Sequence, residues 1–261
     1  MPLPEKLHAA ALPRLAAAAG NPPASPQPGS FLLGVEDFRS RPVYLGLLAR
    51  GSHLLMYGDG GSGRTTLLRR VLEYVAATRD PTEVRLHIVG VGRDLIQYAD
   101  TPHTEAYAFT ATTANTVAAN LVGELGKRLP PETLSPAELR AGRWLSGPEH
   151  VLLVDDYDLT LGPTGSPLTP LVDLLGMAQD IGLHVILARR VAGAQRAAFE
   201  AFGQRVREIG ATGLIMSGSP TEGPVLESQS ARVQPPGRGF FVRRGQRTSL
   251  VQCCLDEGEA P

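Results

Sequence analysis

The octapeptide Gly58-Asp59-Gly60-Gly61-Ser62-Gly63-Arg64-Thr65 leaves this chain few folds to choose from. The apolar run His53-Leu54-Leu55-Met56-Tyr57 precedes it. A short apolar run ending at glycine reads as a buried parallel strand. An amphipathic stretch follows, with Leu67, Leu68, Val71, Leu72 and Val75 at helical spacing. Glycines at 58, 60, 61 and 63 permit a tight turn whose backbone N–H groups point inward. The helix N-terminus directs its partial positive charge to the same point. Strand, loop and helix in this order make a phosphate cradle with Walker A spacing, and the hydroxyl of Thr65 stands where the motif places a ligand to Mg²⁺. The expected phosphate contacts run through Gly58, Asp59, Gly60, Gly61, Ser62, Gly63, Arg64, Thr65 and Thr66.

One residue departs from the motif. Arg64 stands where the pattern requires lysine. Lysine is a compact point charge, whereas a guanidinium is planar, forked and bulkier. The substitution keeps the charge, but the guanidinium is expected either to crowd the terminal phosphate or to swing aside, so nucleotide binding is expected to survive more readily than hydrolysis.

A second element follows in the expected order. Val151-Leu152-Leu153-Val154-Asp155-Asp156 is an apolar strand ending in aspartates, the Walker B form. Asp155 would hold Mg²⁺ through its water shell. Asp156 stands where active members carry a glutamate base, one methylene longer. A misplacement of ~1 Å at such a position costs roughly 100-fold in rate. Arg64 and Asp156 are therefore the candidate catalytic positions, and both are altered.

The rest of the chain alternates in the same style. Strands are expected at Val84–Val89, Leu152–Val154, Leu183–Ala188 and Gly213–Met216, with helices at Thr112–Leu129, Leu171–Ala178 and Ala197–Ile209. Pro130-Pro131 and Gly210 are helix stop signals. A lead-in strand pair begins at Phe31, with alternation in Pro42-Val43-Tyr44-Leu45, and a C-terminal hairpin turns near Gly245. Alternating strands and helices with short connections imply an α/β P-loop NTPase fold with a mainly parallel central sheet flanked by helices and closed by that hairpin. No internal repeat is visible. Residues 1–30 read as a linker or N-terminal extension, 31–255 as the domain and 256–261 as a tail. Within the extension, LPEKLHAAALPRLAAA has short helical potential and NPPASPQPGS ends it with four prolines.

Charge and composition narrow the function. With 261 residues, 43% hydrophobic and 20% charged, the chain can bury a large core. A net charge of −1 supplies no global field for nucleic acid. The only basic run, Arg243, Arg244 and Arg247, is expected on a solvated hairpin face. The adjacent Cys253 and Cys254 supply neither a disulfide framework nor a zinc site, and read as small buried thiols of a reducing compartment. No apolar stretch reaches the ~20 residues of a membrane helix, so direct membrane contact is not expected. Trp144 reads as a packing anchor. His53, His87 and His184 read as structural.

Taken in order, six segments resemble a known family: LLGVEDFRSRPVYL, GDGGSGRTTLLR, VLLVDDYDL, GLHVILARR, GLIMSGSPTEG and PPGRGFFVRR. They resemble the C-terminal ATPase domain of EccC, the FtsK/SpoIIIE-type motor of type VII (ESX) secretion, over residues 30–252. The resemblance implies ATP with Mg²⁺, and a fragment of a multi-ATPase protein at the cytoplasmic side of the inner membrane. Its implied partners are neighbouring ATPase modules, further copies of itself, and the C-terminal tail of secreted helical-hairpin substrates with a Trp-x-Gly turn. It also implies degeneracy: Arg189-Arg190-Val191-Ala192 stands where the lineage commonly has Thr-Gln-Arg-Pro. Three functions compete. One is a weakly active or inactive module that recognises substrate tails; the second is an ATP-hydrolysing DNA translocase, which the near-neutral charge disfavours; the third is an independent small P-loop enzyme such as a kinase, which Arg64 and the lack of a recognisable lid or acceptor motif disfavour.

Overall fold

The computed structural model describes residues 3–18, 20, 29–142, 144–162 and 165–255. The proline-rich stretch 21–28 and the tail 256–261, read as linker and tail, lie outside them. Every expected strand forms. The chain runs β1 (Phe31–Glu36), β2 (Pro42–Leu45), β3 (Leu54–Tyr57), β4 (Val84–Gly90), β5 (Thr104–Ala108), β6 (Glu149–Asp155), β7 (Leu183–Arg189), β8 (Thr212–Met216), β9 (Pro224–Leu226), β10 (Gln229–Ser230), β11 (Arg238–Val242) and β12 (Ser249–Cys253). Between them lie α1 (Leu12–Ala18), α2 (Arg64–Thr78), α3 (Ala111–Gly126), α4 (Pro136–Ala141), α5 (Tyr157–Thr160), α6 (Val172–Leu175), α7 (Ala178–Ile181) and α8 (Ala201–Glu208).

Ten of the strands form one sheet in the order β2-β1-β12-β11-β8-β3-β7-β6-β4-β5. From β8 to β5 every pairing is parallel. From β8 through β11, β12, β1 and β2 every pairing is antiparallel. The central strands are apolar on both faces because both are covered. Leu55 and Tyr57 of β3 enter one core with α3 and α8, while Leu54 and Met56 enter the other with α2. β3 lies between β7 and β8, with β6 just beyond β7. The cradle and the strand-end aspartates are thereby brought to the same edge of the sheet.

Several elements differ from the sequence reading. The helix expected at Ala197–Ile209 starts only at Ala201, where Glu200 caps it by accepting from Phe202 N and Gly203 N. The helix expected at Leu171–Ala178 is broken into a 3-10 turn and the short α6 and α7, around Gly176-Met177. α3 begins at a Thr110 capping box and ends at Gly126, short of the prolines. β5, α4 and the β9–β10 hairpin are additions to the elements expected from sequence.

The described part of the N-terminal extension is packed against the domain. Leu7 and Leu12 are buried with Val35 and Cys254. Leu255 N donates to Leu7 O at 2.8 Å, and Arg238 Nη2 donates to Leu3 O and Pro4 O at 3.0 and 2.8 Å. Cys253 and Cys254 are buried thiols outside any disulfide among the described residues, and Arg243, Arg244 and Arg247 are exposed on the hairpin turn, as expected. Trp144 is half-buried.

Candidate functional site

Gly58–Thr65 follows β3 and opens α2, with Gly61 and Gly63 at φ 76° and 99°. Only glycine adopts such angles at no steric cost. Gly58 is required for a different reason: a Cβ there would lie 2.4 Å from Ser62 Oγ. The loop lines a cavity of about 320 Å³ whose far wall is Pro236, Gly237 and Cys253–Leu255. That wall is fastened to the loop, since Gly237 N donates to Ser62 O at 2.8 Å.

Two polar atoms in this cradle are buried and without a hydrogen-bond partner among the described residues: Ser62 Oγ and Arg64 Nη1. Orphaned donors are costly to bury, and they mark where a ligand with acceptor oxygens would fit. The residues present thus fit a phosphate group. Ser62 and Arg64 face that need with side chains, and the glycine-loop amides and the N-terminus of α2 add to it.

The two Walker elements contact each other directly. Thr65 Oγ1 donates to Asp155 Oδ2 at 2.9 Å, and Asp156 N donates to Asp155 Oδ1 at 2.9 Å. A hydroxyl and a carboxylate so juxtaposed are a chemically suitable pair for Mg²⁺. Burial, and secondarily the charge of Asp156, push the Asp155 carboxyl above its ordinary range. Arg64 Nη2 reaches Asp156 Oδ1 at 2.8 Å, with side chains 8% and 14% exposed. Asp156 has left-handed backbone angles, φ 48° and ψ 48°. Non-glycine residues adopt these uncommonly, and Asp more readily than most. The two positions read as catalytic are therefore joined to each other in a buried ion pair.

Thr66 is exposed at the cavity. Asp59 also lines it, but both of its carboxylate oxygens are engaged elsewhere. Oδ1 accepts from Val191 N and Ala192 N, and Oδ2 from Ser219 N, each at 3.1 Å. The Arg189-Arg190 segment lies at the end of β7 and just beyond it. Arg189 is buried, with Nη2 donating to Gly193 O at 3.4 Å. Arg190 pairs with Asp158 through both side chain and backbone N. No group of three or more His, Cys, Asp or Glu suited to a metal occurs among the described residues.

A phosphate cradle between β3 and α2, with a strand-end aspartate on a near neighbour in a parallel sheet, defines a P-loop nucleotide-binding domain. The FtsK/SpoIIIE family profile matches residues 15–152, more than half of the chain, and the chain belongs to that family. It is 37% identical over 246 residues to the ESX secretion system protein EccC of Thermomonospora curvata, covering 94% of this chain and 19% of that protein. It is 37% identical over 222 residues to the ESX-4 secretion system protein EccC4 of Mycobacterium tuberculosis, covering 85% of this chain and 18% of that one. The chain thus spans about a fifth of the length of these relatives. Among solved structures it is similar to T. curvata EccC (ATPases 2 and 3) in complex with a signal sequence peptide, with a TM-score of 0.87 and 36% identity over 99% of this chain and 44% of that one. The cytoplasmic domain of the same type VII secretion ATPase matches with a TM-score of 0.86 and 35% identity, over 99% of this chain and 29% of that one. No helix among the described residues is long and apolar enough to cross a membrane.

Proposed function

We propose that this chain is an ATP-binding module of a type VII secretion motor that hydrolyses ATP slowly or not at all and receives the C-terminal tail of a secreted helical-hairpin substrate. The observation that carries the first half is the ion pair between Arg64 and Asp156. A catalytic base must be free to orient water, and a phosphate-loop cation must be free to meet the terminal phosphate. Here each neutralises the other, while the cradle's orphaned donors at Ser62 and Arg64 still favour an anion. Arg64, Ser62 and the loop amides would hold the phosphates, and Thr65 with Asp155 would hold Mg²⁺, which neutralises phosphate charge.

The second half is supported by the relative solved with a signal sequence peptide. In this chain an open groove of about 510 Å³ runs between α8 and the β9–β10 turn, away from the phosphate loop. Phe199 gives it apolar surface above the buried Leu226 and Val242, and Arg207, Glu227 and Arg244 give it charge. Phe199 is 87% exposed, an unusual state for a phenylalanine that nothing covers. An apolar tail anchored by side chains at helical spacing suits such a groove. Neighbouring modules of the same motor, and further copies of this one, are the other partners. The location is the cytoplasmic side of the membrane, held there by the rest of the motor.

Calorimetry with a cognate tail peptide, together with a turnover assay, tests both halves. Expected are measurable peptide affinity, abolished by Phe199→Asp with ATP binding unchanged, and turnover far below the ~1–100 s⁻¹ typical of kinases. Brisk turnover would defeat the first half. No peptide affinity, or an unaffected F199D variant, would defeat the second as placed here.

A further inference from the structure

The cavity holding the phosphate loop and the groove beside α8 are separate, yet the structure joins them through one carboxylate. Three successive amides follow β7, at Arg190, Val191 and Ala192. All three donate to carboxylates: Arg190 N to Asp158 Oδ1 of α5 at 3.0 Å, and Val191 N and Ala192 N to Asp59 Oδ1 of the phosphate loop at 3.1 Å. The other oxygen of Asp59 holds Ser219 N, in the loop after β8. The main chain reinforces the contact, since Asp59 N donates to Ser217 O at 2.8 Å. The packing there leaves no slack. A Cβ on Gly218 would lie 2.5 Å from Val191 Cγ2 and 3.1 Å from Asp59 Oδ2.

These two loops lead to the two walls of the groove. Residues 190–200 run from the Asp59 contact to Phe199 and the start of α8. Residues 219–227 run from the Asp59 contact to Leu226 and Glu227. Gln195 Nε2 donates to Pro224 O and ties one loop to the other. A second brace comes from the Walker B side: Tyr157 OH donates at 2.5 Å to Glu200, the residue that caps α8.

We infer that Asp59 is a positioning residue that couples the phosphate loop to the groove. It holds the amides at 191, 192 and 219 in one arrangement, so a shift of the loop on binding nucleotide displaces both groove walls together. Two sites are coupled when both bias one element with alternative arrangements, and here that element is the pair of loops pinned by Asp59. The ATP-driven part of this inference rests on nucleotide binding at the phosphate loop; the pinning itself does not.

Hydrogen exchange on the full chain, read by mass spectrometry, separates the two. Without nucleotide, Asp59→Ala should speed exchange in peptides covering 190–193 and 218–220 by about tenfold or more, as loss of charge-assisted hydrogen bonds implies. Asp59→Asn, which keeps one acceptor, should be intermediate, and β4 and β6 should be unchanged in both. With saturating ATP, the wild-type chain should change protection at 198–208 and 224–227. Ser219→Pro, outside the cradle, removes the amide that Asp59 Oδ2 holds at a backbone φ of −68° that proline adopts, and it should lose the change at 224–227 although calorimetry on the same samples still finds ATP bound. Identical exchange in wild type and D59A without ATP would overturn the pinning. An ATP-induced change at 224–227 of equal size in wild type and S219P would overturn the coupling, as would its absence in wild-type protein that binds ATP. If wild-type protein binds no ATP, the nucleotide reading fails and the coupling with it, while the comparison without nucleotide still decides the pinning. Unfolding of D59A would show as exchange in β4 and β6, and D59N then decides the same question.

Discussion

Replacing Asp156 by asparagine tests whether the Arg64–Asp156 pair competes with nucleotide. The asparagine keeps a side-chain oxygen for Arg64 Nη2 but loses the countercharge. Both partners are largely buried, so solvent screens the pair little. Stranding a buried charge outright costs ~3–5 kcal/mol. Here the hydrogen bond persists and Asp155 remains nearby, so the ligand-free protein should lose less, about 1–3 kcal/mol. The same change removes a negative charge from a phosphate site and leaves the guanidinium on a weaker, neutral acceptor that a phosphate oxygen outcompetes. One charge-assisted hydrogen bond to phosphate is worth ~1.5–3 kcal/mol, which tightens ATP binding by roughly 10- to 100-fold. It also removes the second cause of the raised Asp155 pKa and leaves the first, burial.

The assay is thermal unfolding with and without ATP, plus calorimetric affinity at neutral pH. The ligand-free midpoint should fall while the ATP-induced shift grows, because bound ligand stabilises according to its affinity. Turnover should not rise, since asparagine is no base. Unchanged or weaker ATP affinity, together with unchanged ligand-free stability, would refute the reasoning. It would mean that Arg64 already serves the phosphate and that its contact with Asp156 is incidental.

Other substitutions and conditions give further checks. Arg64→Lys alone should leave steady-state turnover low, because Asp156 and the Arg189-Arg190 segment remain; recovery of full activity would sink the idea that several elements are defective. Burial lowers His53, His87 and His150 to about 4, with His184, His150 and Arg128 respectively as the second cause. The unfolded chain therefore binds more protons than the folded one between pH ~6.5 and ~4, so stability falls as pH drops through that window, by up to about 1.4 kcal/mol per pH unit for each histidine. The raised Asp155 opposes this with a gain toward acid, and urea midpoints at pH 7, 6 and 5 should still decline; a flat profile would contradict the burial argument. Leu7→Ala should destabilise by roughly 2–5 kcal/mol if the N-terminal segment belongs to the fold, and urea titration would show no change if it is an unattached linker.

The parallel strands and the cradle are legible because their signals are local. An apolar run, a glycine-rich turn and a helical period are all read within a few residues. What escapes has a physical reason in each case. β5 lies at the sheet edge and mixes exposed and half-buried residues, so it carries no apolar run. The β9–β10 hairpin has strands of three and two residues, too short for any periodicity. The early start expected for α8 fails because Ala197–Phe199 follow a loop whose amides are taken by carboxylates from elsewhere, and Glu200 then caps the helix. α4 differs from these, because its signal is present in the sequence: Ser135 and Glu138 form a capping box, with Pro136 at the first helical position.

The two altered residues of the candidate site show where motif reading stops. The motif identifies Arg64 and Asp156 as departures, each judged alone against a lysine and a glutamate. It carries nothing about their meeting, because they are 92 residues apart and touch only once β3, β7 and β6 are assembled in that order. A substitution at either position therefore acts on a pair. The same holds for Asp59, whose place in the motif suggests a phosphate contact. Its carboxylate partners lie 132, 133 and 160 residues away. An aspartate beside bound phosphate would repel it in the absence of such partners. Three backbone amides supply the compensation, and that is why an acidic side chain is tolerable within an anion cradle. On this account Asp59→Asn should cost ATP affinity little or even improve it while loosening the loops. An affinity loss of tenfold or more would instead place the carboxylate in nucleotide binding itself, through a bound cation.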